Sequence, residues 1–287
     1  MARKTDLVKK ENGSKKETKK QYKWIEYAGY IFPCEITESG KPGKLEKDLE
    51  MVKAIFSKGT ENLTYIDRLQ LLQIYKIAYH ETGKIEGVFS LDSSATNCTF
   101  CVKMRKLAEE KPELNIICGA CYDFKQESYR LSALGRHTLN LLIMDTGNFT
   151  VEELATLACY GIVRVNSSGD SSNDIYAANM IKFSIAHPHC NIAIWSKNTG
   201  SYIHACDKYG KPENVTLIQS SVYVDKATKP AKYFDHVFTV YFDKAKVAEA
   251  LENGACECNG KKCRECGYKC YLHGWKGSAN IAELLRK

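Results

Sequence analysis

Cys98-Thr-Phe-Cys101 is followed after sixteen residues by Cys118-Gly-Ala-Cys121. Two Cys-x-x-Cys pairs at this separation point to a metal. Two intervening residues let one tight turn aim both sulfurs at a point, and the second turn supplies the other half of a tetrahedral shell. The C-terminal run holds Cys256, Cys258, Cys263, Cys266 and Cys270 within fifteen residues. That density leaves no room for a core, so a metal must organise the segment. Cys263-x-x-Cys266 is its nucleus. Cys270 and one of Cys256 and Cys258 complete four sulfurs, and we place Cys258 in the set. His273 is a weaker candidate than any of these thiols. Four thiolates suit an iron–sulfur cluster or zinc, and ligand type does not separate them.

The other chemistry-bearing residues follow short apolar runs. Asp92-Ser-Ser94 follows Leu91, Asn166-Ser-Ser-Gly-Asp170 follows Val165, Ser196-Lys197-Asn198 follows Trp195, and Gln219-Ser-Ser221 follows Ile218. In βα architectures such loops gather at one rim, where ligands bind. Ser168 and Gly169 can present backbone N–H groups to an anion. Asp170 can orient an amine or hydroxyl, and Lys197 can pair with an anion. Read singly, each is an ordinary capping residue; their collection on one rim, with the cysteine pairs, makes a site.

The elements that position these groups are legible as patterns. Tyr22 to Phe32 is aromatic and roughly alternating, hence extended. Leu45, Leu49, Val52 and Phe56 fall on one helical face, and residues 66–80 read as a second helix carrying Leu69, Leu72 and Tyr79. Strands are expected at Gly87–Leu91, Ile162–Val165, Asn191–Trp195, Val215–Ile218 and Val237–Val240. Between them come helices. One carries Phe124, Leu131, Leu134, Leu141 and Leu142. Others run from the Thr150/Glu153 capping box to Gly161 and from the Ser172-Asn173-Asp174 signal to His187, and two more cover Ser201–Tyr209 and Asp243–Glu252. This alternation implies parallel strands joined by crossovers. The expected organisation is a disordered basic tail (1–23), an N-terminal helical extension (24–85), a partial βα barrel or open parallel sheet (86–254), and a Cys-rich metal-binding segment (255–287).

No run of eighteen apolar residues and no N-terminal apolar stretch is present, so we expect a cytoplasmic protein. In a reducing compartment thirteen cysteines argue for metal ligation over disulfides. The four outside the clusters, Cys34, Cys159, Cys190 and Cys206, read as buried apolar filler. The net charge of +7 hints at nucleic acid, but residues 1–23 hold nine Lys or Arg against three Asp or Glu, so the body is nearly neutral.

Cys118-Gly-Ala-Cys121-Tyr122, the stretch Val163-Arg-Val-Asn-Ser-Ser-Gly-Asp170, His187-Pro188, Trp195-Ser-Lys197 and Cys263-Arg-Glu-Cys266-Gly-Tyr-Lys-Cys270 together resemble the phage-associated gene product 88 family. The likeness spans roughly residues 86–273. It implies a scaffold, metal sites and a bacterial-host cytoplasm rather than a reaction. The βα order with cysteines after the first strand is also similar to radical S-adenosylmethionine enzymes. Their Cys-x-x-x-Cys-x-x-Cys signature is absent, and S-adenosylmethionine could bind only if one of the four early cysteines does not ligate. The leading expectation is therefore a redox or small-ligand-activating protein with two four-iron clusters. The alternatives are a zinc protein binding nucleic acid through its tail and late cysteines, and a redox sensor.

Overall fold

The computed structural model describes residues 20–258 and 262–285. The chain opens with a hairpin, β1 (Gln21–Tyr27) antiparallel to β2 (Tyr30–Ile36). Gln21 to Lys23, expected at the end of the tail, therefore belong to a strand; residues 1–19 lie outside the described residues. Helices α1 (Lys44–Phe56) and α2 (Tyr65–Ile74) follow. A Thr64/Asp67 capping box starts α2, with Asp67 N donating to Thr64 Oγ1 (3.2 Å) and Thr64 N to Asp67 Oδ2 (3.0 Å). The expected continuation of α2 to Tyr79 is wrong. The chain turns at Tyr75, and Ala78–Tyr79 is a short strand, β3, because its backbone pairs with β4 (Val88–Leu91). The N-terminal extension is thus part strand, and its Phe32, Leu49, Val52 and Leu71 are fully buried in the main core.

From β4 onward the order is α3 (Thr99–Glu110), α4 (Tyr122–Glu127), α5 (Leu131–Thr146), α6 (Val151–Leu154), β5 (Ile162–Val165), α7 (Asp174–Ala186), β6 (Asn191–Ser196), α8 (Thr199–Tyr209) and β7 (Val215–Ser220). Then come β8 (His236–Tyr241), α9 (Lys244–Glu252), β9 (Cys256–Glu257) and β10 (Asn280–Leu284). The expected helix from Phe124 to Leu142 is two helices, α4 and α5, separated at residues 128–130. Asn173 caps α7 by accepting from Tyr176 N (2.9 Å), and Asp243 caps α9 by accepting from Ala245 N (2.8 Å).

The architecture is α/β, with a mostly parallel, open eight-stranded sheet in the order β3-β4-β5-β6-β7-β8-β10-β9. Only the β3–β4 pair is antiparallel. The strands follow chain order up to β8, so there is no switch point; β10 then inserts between β8 and β9. Period-two alternation sorts the two faces. Val163, Val165, Ile192, Ile194, Val215 and Leu217 point into the main core with α5, α7 and α8. Each buried aliphatic side chain there contributes about 1.5–3 kcal/mol. Cys34, Cys206, Cys159 and Cys190 are buried in the same core, with Cys159 Sγ and Cys190 Sγ 3.7 Å apart.

The opposite face carries Val88, Ala193, Trp195, Ile218 and Phe238, and the cysteine-rich segment covers it with Cys263, Tyr268, Cys270 and Tyr271. The late cysteines therefore form a plug on the sheet. The plug is tied to the loop before β4: Cys263 N donates to Lys84 O (2.7 Å) and Tyr268 Oη to Glu86 O (2.5 Å). Lys84 also pairs with Glu283 of β10 at 2.5 Å, although four strands lie between β4 and β10. Among the described residues no helix is long and apolar enough to cross a membrane.

Candidate functional site

The polar loops after β4, β5 and β6 meet at the C-terminal rim, and two buried carboxylates hold them together, while Gln219 and Ser221 bond within the chain that follows β7. Asp92 Oδ1 accepts from Ser168 N (3.1 Å) and from Ser167 Oγ, and its Oδ2 accepts from Ser90 Oγ (2.6 Å). Asp170 Oδ1 accepts from Ser196 Oγ (2.6 Å) and Ser171 N (2.8 Å), and Oδ2 from Lys197 N (2.7 Å). Burial pushes the Asp170 carboxyl up, while Lys197 and these bonds oppose the shift. Asp170, expected to orient a ligand, thus spends both oxygens on its own chain. Ser168 likewise gives its N–H to Asp92, and its carbonyl accepts from Ser93 N (3.1 Å). Gly169 has φ +75°, and its Cα lies so close to Ser93 that a Cβ would stand 2.4 Å from the Ser93 carbonyl oxygen. Only glycine fits this junction.

The first cysteine set is carried on two turns. Cys98 is the N-cap of α3, its sulfur accepting from Cys101 N (3.5 Å). Cys118 lies within the 3-10 turn Ile117–Ala120 and Cys121 caps its end, and the turn is pinned by Ile117 N donating to Val222 O (2.9 Å). The four thiols act on one another: burial and Cys98 raise Cys101, and burial with Cys101 and Cys121 pushes Cys118 up to about 11. Lys197 sits among them. Burial works against its charge, but Cys118, Asp170, Cys101 and Cys121 outweigh that and hold it protonated.

The second set is gathered around Cys270, pushed up to about 12 by burial and by Cys263, Cys258 and Cys266, with Arg164 opposing. Cys258 acts on Cys270 and lines the adjoining cavity. His273 Nδ1 lies 3.3 Å from the Val215 carbonyl at the opposite end of β7, away from the rim. In neither set is a shell closed: among the described residues no three His, Cys, Asp or Glu side chains are placed to hold a metal ion. The donor chemistry fits a thiophilic metal, and the spacing does not. Neutral thiols have nothing to draw them to bonding distance, and a metal that binds thiolates would supply that force.

Between the two sets lies a cavity of about 290 Å³. Cys118 and Cys121 line one wall and Cys258, Cys263 and Cys270 the other. Its floor is the sheet: Arg164, Trp195 and Phe238. Arg164 stacks on the Trp195 ring (4.6 Å to the centroid) and donates through Nη1 to Tyr271 Oη (3.3 Å). Its Nε and Trp195 Nε1 are buried without partners among the described residues. Asp123 also lines the cavity, and burial pushes its carboxyl up to about 6 against the pull of Lys197 and Arg164.

Of the expected ligand-binding residues, Gly169, Asp170 and Lys197 line this cavity and Ser168 does not. Arg164, Trp195 and Asp123 were not assigned a role from sequence. Arg164 did carry a signal, since a lone Arg between Val163 and Val165 puts a cation on the face that this chain does not cover with helices. The chain has no significant match among protein-family models, curated proteins or solved structures.

Proposed function

We propose that this chain is an iron–sulfur protein on a partial βα barrel, with two four-cysteine sites flanking one ligand cavity. Cys98, Cys101, Cys118 and Cys121 would hold the first four-iron cluster, and Cys258, Cys263, Cys266 and Cys270 the second. The carrying observation is that cysteines of both sets line the same cavity. A structural zinc ribbon needs no cavity and gains nothing from facing one. A redox centre needs a partner within reach, and both sets have a shared one. Bound clusters would supply electrons to, or accept them from, a small ligand. The chain's own residues hold that ligand, and the apolar floor of Trp195, Phe238 and Tyr271 limits water. Lys197 and Arg164 place positive charge beside the two sulfur sets. The chain-order strands and the Lys84–Glu283 contact support the barrel reading.

The zinc and nucleic-acid reading loses ground. Two of the late basic residues it relies on, Lys262 and Arg264, are engaged with Glu86 at 2.9 and 3.3 Å. Of the late cysteines, Cys263 and Cys270 pack against the sheet.

The test is iron, zinc and acid-labile sulfide analysis of anaerobically purified protein, with Cys118→Ala and Cys263→Ala beside the parent. Two clusters in the parent and the loss of one in each variant are expected. About two zincs without sulfide, or iron unchanged in both variants, would overturn the proposal.

A further inference from the structure

The cavity distinguishes among small ligands by its unpaired groups. Lys84 and Glu283 satisfy each other, and Asp170 is consumed by Ser196, Ser171 and the Lys197 backbone. Three charged groups remain. The Lys197 ammonium makes no hydrogen bond among the described residues, and nor does the Asp123 carboxylate. Arg164 uses only Nη1, on Tyr271. A charged group held in a low-dielectric wall without a partner is costly, and a site built for a complementary ligand is one place where that cost is recovered. The volume, about 290 Å³, is at the lower end of small-molecule sites, about 300–1,000 Å³.

We infer that the cavity binds a small amino-carboxylate, a zwitterion of the amino-acid class. Its carboxylate lies against Arg164 and Lys197, its ammonium against Asp123, and its apolar part against Trp195 and Phe238. One acid and two bases on the same cavity fit this pairing. A simple anion would leave Asp123 facing it as a like charge, and a simple amine would face Arg164 and Lys197. The guanidinium sits over the Trp195 ring, 4.6 Å from its centroid, and a guanidinium so placed can meet a carboxylate with two parallel N–H groups. The inference rests on reading this cavity as the working site.

The experiment is calorimetric titration of the protein as purified, at pH 7.5, with L-norleucine, hexanoate and hexylamine. Metal and sulfide content are measured on the same samples. Norleucine is expected to bind at least tenfold more tightly than either single-charge probe, since each charged hydrogen bond contributes about 1.5–3 kcal/mol. Asp123→Asn is expected to remove the preference over hexanoate, and Arg164→Gln to weaken norleucine and hexanoate together, with the thermal midpoint near the parent's. Hexanoate binding as well as norleucine, or no heat from any probe at 10 mM, overturns the inference. Norleucine preference in protein lacking clusters would keep the inference and sink the iron–sulfur reading. Clusters without the preference would do the reverse.

Discussion

Gly169→Ala is the sharpest perturbation of the rim, because backbone and not side chain stands in the way. At φ +75° an alanine is strained by about 1–2 kcal/mol. Its Cβ would lie 2.2 Å from Ser93 Oγ, 2.4 Å from Ser93 O and 2.6 Å from Ser93 C. Rotating the serine relieves only the first contact. The other two require the β4 and β5 loops to part, which costs about 1–3 kcal/mol more in a packed interior. The loops are clamped by Ser93 N donating to Ser168 O (3.1 Å) and Ser168 N to Asp92 Oδ1 (3.1 Å), so separation strains both bonds. The expected loss is about 3 kcal/mol, read as a shift in urea midpoint at constant slope. Metal bound at the first cysteine set should also fall, since Cys98 follows the displaced loop. Ser93→Ala in the same chain should restore almost nothing. A Gly169→Ala protein within 0.5 kcal/mol of the parent, or one rescued by Ser93→Ala, would refute the reasoning.

Two further outcomes concern buried acids, beside the metal and zwitterion tests already described. Glu127 accepts from Thr96 N (2.8 Å), Ala95 N (3.3 Å) and Ser94 Oγ (3.2 Å), so Glu127→Ala should cost about 3 kcal/mol, and Glu127→Gln, which keeps one acceptor, clearly less; equal denaturation midpoints for the two would count against this. Asp145 is pushed up to about 6, chiefly by burial, with Ser172 and Tyr30 opposing. The folded carboxyl keeps its proton where the unfolded one has lost it, so this group favours folding below pH 4. That contribution falls by about 3 kcal/mol as pH rises from 4 to beyond 6. Asp145→Asn should flatten that part of the stability profile, and a variant whose slope between pH 4 and 6 matches the parent's would exclude Asp145 as its source.

What could be read locally was read well. Ile162-Val-Arg-Val165 alternates, Asn173 caps, and Thr150 and Glu153 form their box, each settled within a few residues of chain, although the helix expected to run on to Gly161 stops at Leu154. Elements that depend on distant partners escaped. Helix α3 was missed although Phe100, Met104 and Leu107 recur at helical spacing; none of its residues is fully buried, and the two cysteine turns at its start and beyond its end drew the reading. Tyr79 continues a helical pattern, yet its backbone finds Phe89. Asn280–Leu284 is a strand because a place beside β8 is available.

The same division runs through the site. Cysteine identity and spacing are local properties, so the eight candidate ligands and the rim loops were evident from the sequence. Charge partnership is not local. Asp170 proved to be a strut because Ser196 and Lys197 arrive from another strand, whereas Asp123, drawn only through space by Lys197 and Arg164, makes no side-chain hydrogen bond among the described residues. Only the tertiary fold brings cysteines of the two sets to one cavity, since the late segment lies back across the face of the sheet at whose rim the early pairs sit.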